Sequence, residues 1–346
     1  MGVLVSVSIG DVARLAGVSR TTVSHVISGK RPVSDAVEDR VRSAMTELGY
    51  APSRMAQNLA SGTTRTMGLL VPDIGNGFFA DIAKGVERTA IAGGYNMLLC
   101  NTGWNLEREL FYLETLKSRA VDGVVYAAGV PAATSQLTGL LGGLPVVAVD
   151  EELDDVAQVT VVSNNRVGGR LAAEHLAALG HTRALVAGAT PGLASSRLRV
   201  EGFSDAWLER TGRAPLVAEG TFEVASGYRL AQEHLGALRD GEITAVFCLN
   251  DMVAFGLMQA LSENGIDVPG SCSVVGFDDV FAASHVGPGL TTVRQDAVGL
   301  GEVAARLLLE ILDNGEARPQ GLRVLPVDLV ERRSTGGVRG RGACHG

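Results

Sequence analysis

Around Ser19 the chain gathers side chains that suit the edges of base pairs. Arg20, Thr21, Ser24 and His25 fall on the outer side of a short segment that starts with Ser19 and Thr22, while Val23, Val26 and Ile27 recur at helical spacing on the inner side. Arginine can give two parallel hydrogen bonds to guanine, and threonine can meet either base type or a thymine methyl. A second set is scattered along the remaining chain: Asp73, Asn76, Phe79, Asp150, Ser163, Asn164, Ser195, Arg199, Phe222, Asn250, Asp278 and Gln295. Most of these follow short apolar runs. A carboxylate beside an arginine can hold neighbouring hydroxyls, and an aromatic can cover the apolar face of a ring. That chemistry suits a sugar, and it equally suits a nucleobase or nucleoside. Several members have plainer readings: Asn76 and Asn164 as turn residues, Asp73 as a loop cap, Phe79 as core. Asp251, ahead of Met252-Val253-Ala254, reads as a helix N-cap with a structural role.

Reaction chemistry finds no constellation. The six histidines do not pair with a nucleophile, and there is no Gly-x-Ser-x-Gly, phosphate loop or metal-ligand spacing. We therefore expect no catalytic residues, no cofactor and no metal.

The elements that must position the first set are short helices. Ser8 with Asp11 three residues on forms a capping-box pattern. A helix follows from Ile9 to Ala16, with Val12, Leu15 and Ala16 inward, and Gly17 ends it. Ser19 caps a second helix two residues later, and Gly29 closes it. Ser34 caps a third, in which Val37, Val41, Ala44, Met45 and Leu48 share a stripe, and Gly49 closes that one. Two helices joined by a tight glycine turn form a helix-turn-helix, whose second helix enters the major groove. The helix pattern alone also fits a small protein-interaction module. Charge favours nucleic acid. The net charge is −8, but residues 1–65 hold eight lysines and arginines against five acids, a net +3, leaving −11 on the rest. Binding to a polyanion follows the local field. After Pro52, Ser53 caps a seven-residue segment, Arg54 to Ala60, too short to be a stable isolated helix. It reads either as a plain linker or as a helix that forms against a partner, with Leu59 as a wedge between base pairs.

From Met67 onward apolar strands alternate with helices. Strands are expected at 67–71, 97–100, 123–126, 146–149, 159–162, 184–187, 245–249 and 273–277, with helices between them. This pattern implies parallel sheets. Two successive runs imply two lobes around a cleft, where ligands of open sheets sit at strand carboxyl ends. The last helix (299–313) and the end strands (321–324 and 327–330) would carry the chain back across. Arg199, Asn250 and Asp278 are the leading ligand contacts, because long polar groups at strand ends need partners. Gln295 lies where the chain recrosses.

The runs Asp11-Val12-Ala13, Ala16-Gly17-Val18-Ser19 and Thr22-Val23-Ser24, then Arg54-Met55-Ala56-Gln57-Asn58-Leu59-Ala60, resemble the lactose-repressor/galactose-repressor family of bacterial regulators. The resemblance extends to Arg333. It implies an all-α helix-turn-helix head on an α/β two-lobe effector domain like type I periplasmic binding proteins, with parallel sheets flanked by helices. It implies that Ser19, Arg20, Thr21, Thr22, Ser24 and His25 contact operator DNA, joined by Arg54, Asn58 and an intercalating Leu59. His25 departs from the arginine common in that family and leaves the operator sequence open. For the cleft it implies an effector, a sugar first and a purine or nucleoside second, held by Asp73, Phe79, Asp150, Ser195, Arg199, Phe222, Asn250, Asp278 and Gln295.

The boundaries expected are a head at 1–50, a hinge at 51–65, a body at 66–335 and a disordered tail at 336–346. Within the body, lobe 1 takes about 66–163 and 295–324, and lobe 2 about 164–294 and 325–335. The tail lacks apolar heptads, so a homodimer on a pseudo-palindromic site is expected rather than a tetramer. No apolar run is long enough to span a bilayer, and Met1 to Ile9 lacks the features of a secretory signal. Cys100, Cys248, Cys272 and Cys344 are scattered without metal spacing. With Cys100 and Cys248 ending apolar runs, they read as buried reduced thiols in a cytoplasmic protein. The other classes weighed are a secreted sugar-binding transport protein, opposed by the head, and a sugar-processing enzyme, opposed by the missing constellation.

Overall fold

The computed structural model describes residues 7–28, 31–50, 63–118, 121–130, 134–153, 156–313 and 319–338. It divides into two compact units, one holding the N-terminal residues through Arg65 together with 120–122, the other the rest of the chain. The first unit contains α1 (Ile9–Ala16), α2 (Arg20–Ser28) and α3 (Asp35–Leu48). The Asp11 carboxylate accepts the Ser8 backbone N–H at 3.0 Å and the Ser8 hydroxyl at 2.7 Å, which fixes the start of α1. Gly17 (φ 65°) ends α1 in the left-handed conformation that side chains disfavour. The Ser19 hydroxyl accepts the Thr22 N–H at 3.0 Å and caps α2. Val12, Ala13, Ala16, Val23, Val41 and Ala44 form the small core. Leu15, expected inside, is 46 % exposed, and Ala13 is buried instead. At about 100° per residue, positions 12, 13 and 16 share one stripe and position 15 lies off it.

The body is built on two six-stranded sheets. The first contains β1 (Thr66–Val71), β2 (Asn96–Asn101), β3 (Gly123–Tyr126), β4 (Val146–Val149), β5 (Val159–Ser163) and β11 (Gly321–Leu325). Its order is β11-β5-β4-β3-β1-β2, parallel throughout. The second contains β6 (Ala184–Ala189), β7 (Leu216–Glu219), β8 (Ala245–Cys248), β9 (Ser273–Asp278), β10 (Thr291–Gln295) and β12 (Val327–Val330). Its order is β12-β10-β9-β8-β6-β7, with only β12 antiparallel to its neighbour. The central strands are continuous apolar runs because helices cover both of their faces. The chain passes between the sheets after β5, after β10 and between β11 and β12, so each lobe is completed by C-terminal elements.

The helices are α4 (Gly77–Ala92), α5 (Leu106–Ser118), α6 (Thr134–Leu141), α7 (Asn165–Ala178), α8 (Ala194–Thr211), α9 (Val224–Glu233), α10 (Leu235–Arg239), α11 (Asp251–Glu263) and α12 (Ala297–Asp313). The short α6 and α10 and the edge strand β7 carry too little apolar periodicity to stand out in the sequence. Three helix pairs meet through one glycine from each partner: Gly85 and Gly301 between α4 and α12, Gly169 and Gly202 between α7 and α8, Gly227 and Gly256 between α9 and α11. A β-carbon at any of the six would lie 1.8–2.2 Å from a carbonyl oxygen of the facing helix. Side chains are excluded there, so the backbones approach closely and the pairs lock in register. On the α7/α8 face of the second sheet, Phe203 stacks against Trp207 (5.4 Å) and Phe247 (5.0 Å).

Residues 336–338, assigned by composition to a loose tail, are tied down. The Gly336 N–H donates to Ser273 Oγ at 3.0 Å, and the Val338 N–H donates to the Leu179 carbonyl at 3.2 Å. The remainder of that tail, 339–346, lies outside the described residues. Cys100, Cys248 and Cys272 are buried free thiols, as their apolar surroundings imply. Among the described residues no helix is long and apolar enough to cross a membrane.

Candidate nucleic-acid interface and ligand cleft

On α2, Arg20 and Thr21 are exposed, and Ser24 and His25 are half-buried. Ser19 and Thr22 spend their hydroxyls on each other (2.8 Å), so they shape the helix start. The Arg20 guanidinium lies over Gly10, where an added β-carbon would come within 2.8 Å of Nη2. The bare backbone of α1 therefore serves as a shelf that steadies an exposed cation. Arg54, Asn58 and Leu59 lie outside the described residues.

In the body, the strand ends of the two sheets face one cleft. From the first lobe it is lined by Asn76, Phe78, Phe79, Trp104, Ala128, Asp150 and Glu151, and from the second by Leu193, Ser195, Arg199, Phe222, Asn250 and Asp278. Its free interior is only about 20 Å³, room for about one water, so the cleft is closed on itself. Phe79 meets Trp104 edge-on at 5.9 Å, and Trp104 reaches Phe222 of the opposite lobe at 6.2 Å. Aromatic surface thus closes one side of the cleft.

The polar side is a buried cluster of three carboxyl groups, Asp150, Glu151 and Asp278, around the single lining cation, Arg199. Arg199 donates from Nε to Asn165 Oδ1 (2.8 Å) and from Nη1 to the Leu249 carbonyl (2.7 Å), and its guanidinium lies 3.8 Å from the Phe277 ring centre. Burial pushes the Asp150 and Glu151 carboxyls up to about 7 and Asp278 to about 8. Arg199 pulls Asp150 and Asp278 back, while neighbouring acids add to the rise: Asp278 for Asp150, Asp150 for Glu151 and Asp251 for Asp278. Three helix N-termini, of α4, α8 and α11, also open toward this cleft, and their dipoles favour negative charge there. Asp150 Oδ1 is buried and has no hydrogen-bond partner among the described residues. A buried acceptor in that state calls for a donor from a ligand or solvent.

Trp104 (φ 56°), Asp150 (φ 74°) and Asp278 (φ 118°) hold left-handed backbone conformations, which cost a side chain of order 1–3 kcal/mol. Each re-aims the chain beyond a strand end. At Asp150 the effect is specific: alternation along an extended strand would send residues 150 and 151 to opposite sides, yet both face the cleft.

Of the ligand contacts expected from the sequence, Phe79, Asp150, Ser195, Arg199, Phe222, Asn250 and Asp278 line this space. Asp73 and Gln295 do not. Asp73 closes a turn by accepting the Gly75 N–H at 2.9 Å, because the chain bends before α4 and its short side chain is used locally. Gln295 stands behind the wall and donates to Asp278 Oδ1 at 2.7 Å, positioning that carboxylate. Asn76, Asn164 and Asn250 cap α4, α7 and α11 with their side-chain oxygens. Asp251, expected as a cap, is instead fully buried and accepts the Val280 N–H (2.9 Å) and the Thr292 hydroxyl (2.6 Å). The cap falls on Asn250, whose extended backbone (φ −153°) lets its oxygen reach the Val253 N–H. Trp104 and Glu151 were not foreseen. Trp104 follows β2 by three residues and Glu151 follows β4 by two, where the strand-end rule could have found both.

Comparison with known proteins follows the same division. Residues 8–53 match the family model described as bacterial regulatory proteins, lacI family, and residues 173–335 match the periplasmic binding protein-like domain. Over 332 residues the chain is 35% identical to the HTH-type transcriptional repressor PurR of Aliivibrio fischeri, covering 94% of this chain and 98% of that one. The lac repressor dimer bound to operator and the anti-inducer ONPF superposes with a TM-score of 0.81 at 31% identity, covering 96% of this chain and 99% of that one. A LacI family transcriptional regulator from Enterococcus faecium with bound ribose gives 0.70 at 32% identity, covering 79% and 100%.

Proposed function

The chain belongs to the lacI family of bacterial regulatory proteins and is a DNA-binding transcriptional repressor, not an enzyme, and from that premise we propose that its effector is a small neutral sugar held in the cleft between the two lobes. The observation that carries this reading is the buried set of Asp150, Glu151, Asp278 and Arg199 beneath Phe79, Trp104 and Phe222. Hydroxyl groups both donate and accept, so they can satisfy carboxylates and a guanidinium at once, while an aromatic wall takes the apolar face of a sugar ring. An anionic ligand would meet Arg199 and the helix N-termini but also three acids, which a neutral ligand does not oppose. The solved relative with bound ribose shares this fold.

Ser195 and Asn250 complete the contact set, while Asp73 and Gln295 act from behind it. Operator contact is assigned to Arg20, Thr21, Ser24 and His25, with Ser19 and Thr22 shaping the helix start and Arg54, Asn58 and Leu59 in the hinge segment. The protein works as a homodimer in the cytoplasm on a pseudo-palindromic site, since one such head makes few base contacts. The effector acts by binding two states of the body with different affinity, which alone can shift an equilibrium.

The test is a fluorescence titration of Trp104 with neutral pentoses and hexoses, their phosphates and purine bases, alongside operator retardation with each compound. Saturable binding of a neutral sugar that also changes operator affinity is the expected result. Binding of purine bases alone would replace the sugar assignment, and preference for sugar phosphates would contradict the charge argument.

A further inference from the structure

The helix α8 begins badly on its own. Its N-cap position is Leu193, whose side chain offers no acceptor, although the first-turn N–H groups of a helix have no partner within it. The missing acceptor comes from the other lobe. Glu151, placed just beyond β4 of the first sheet, accepts the Ser195 N–H at 3.2 Å through Oε2 and the Ser195 hydroxyl through Oε1. Glu151 is 3 % exposed and Ser195 2 %, so water does not share these bonds. The left-handed Asp150 turns the chain so that Glu151 can reach across.

We propose that Glu151 is a capping residue supplied across the cleft, a built-in acceptor that closes the N-terminus of α8 and holds the two lobes shut without a ligand. The 18-residue α8 presents a partial positive charge at this end, and a carboxylate is the group such a terminus binds best. With Glu151 seated there, the position where an acidic ligand group would dock is already filled. The α8 terminus is thereby closed to an acidic ligand group, and closure draws on a contact that opening must break. The proposal rests on the cleft being the effector site but not on which effector enters it.

The chain supplies its own reporter. It has two tryptophans, Trp104 in the cleft against Phe222 of the opposite lobe and Trp207 in the core of the second lobe. Among the described residues the Trp207 indole N–H has no partner, and the ring stacks on Phe203, so Trp207→Phe keeps the packing and leaves Trp104 as the single tryptophan fluorophore. In that full-length background, with no effector present, Glu151→Ala is expected to move Trp104 emission to longer wavelength and to raise its acrylamide quenching about twofold or more. Glu151→Gln, which keeps an acceptor oxygen but no charge, should fall between. Added formate should return the alanine variant toward the parent's emission, chloride at equal ionic strength should not, and neither should change the parent. Parent-like emission and quenching in the alanine variant, with unchanged circular dichroism, would overturn the proposal, as would equal rescue by chloride. If the alanine variant fails to fold, the glutamine variant decides: emission and quenching equal to the parent's overturn it. Because no effector is used, a wrong sugar assignment leaves these outcomes untouched.

Discussion

Arg199 and Asp278 face each other inside the cleft at 4.0 Å without a direct hydrogen bond. Each is held by someone else: Arg199 by Asn165 and the Leu249 carbonyl, Asp278 by Gln295. The pair is therefore oriented before any ligand arrives, and the charge on each still lowers the cost of burying the other. A ligand hydroxyl can bridge them without first breaking a bond between them.

Arg199→Ala should destabilise the body by roughly 3–5 kcal/mol, because it strands buried carboxyl groups without their cation. Arg199→Lys keeps the charge but loses the planar fork and the stacking on Phe277. Its effector affinity should fall about tenfold or more while most of the stability remains. Urea denaturation and calorimetric titration separate the two effects; equal stability losses in both variants would contradict this division.

The buried acids in and beside the cleft make stability fall with rising pH. Burial raises Asp150, Glu151 and Asp251 to about 7 and Asp278 to about 8. Between the ordinary carboxylate range and those values the folded state keeps protons that the unfolded chain has released. Stability is thus highest at the acid end of that interval and is lost as pH rises through 7–8. His175 and His181, lowered by burial from 6.5, work in the opposite direction at lower pH, so the window to examine is pH 6.5–8.5. Thermal melting should drop across it, by up to about 1.4 kcal/mol per pH unit for each proton difference. Asp278→Asn should flatten the slope; an unchanged slope would remove Asp278 from the account.

Gly202→Ala places a methyl 2.0 Å from the Arg166 carbonyl oxygen and forces α7 and α8 apart. Overpacking of this kind costs about 1–3 kcal/mol or more. Because Arg199 lies one turn before Gly202 on α8, effector affinity should fall as well. Gly301→Ala, at the matching contact of α4 and α12 (2.2 Å), should lower stability while altering effector affinity much less. Melting curves together with ligand titrations test the contrast.

Arg20→Ala should weaken operator binding by roughly 1–3 kcal/mol, the worth of one paired contact to a base. Nonspecific DNA binding at the same salt should change far less. Filter binding to operator and to scrambled duplex measures both, and equal losses would show that Arg20 contacts phosphate rather than base.

Much of this protein could be read from local patterns. Ser8 with Asp11, Gly17 and Ser19 mark helix ends through bonds spanning two or three residues, so the head is legible directly. The buried strands announce themselves as uninterrupted valine-rich runs. Arg199, Asn250 and Asp278 stood out because polar groups at the ends of such runs need partners. Leu15 and Asp251 misled for one reason: each has a side chain suited to two local roles, and its neighbours in space chose between them. Glu151 stands at a strand end, but its role was invisible for a different reason. Its partner, Ser195, is 44 residues away in another lobe, and only the left-handed turn at Asp150 aims it there. The sequence by itself determined the element order, the charged head and the strand-end chemistry, all of which depend on short-range bonding and burial. Tertiary structure alone decided which acids share one cation, how far their protons are held, and which side chains cross from one lobe to the other, because electrostatics and capping act through space rather than along the chain.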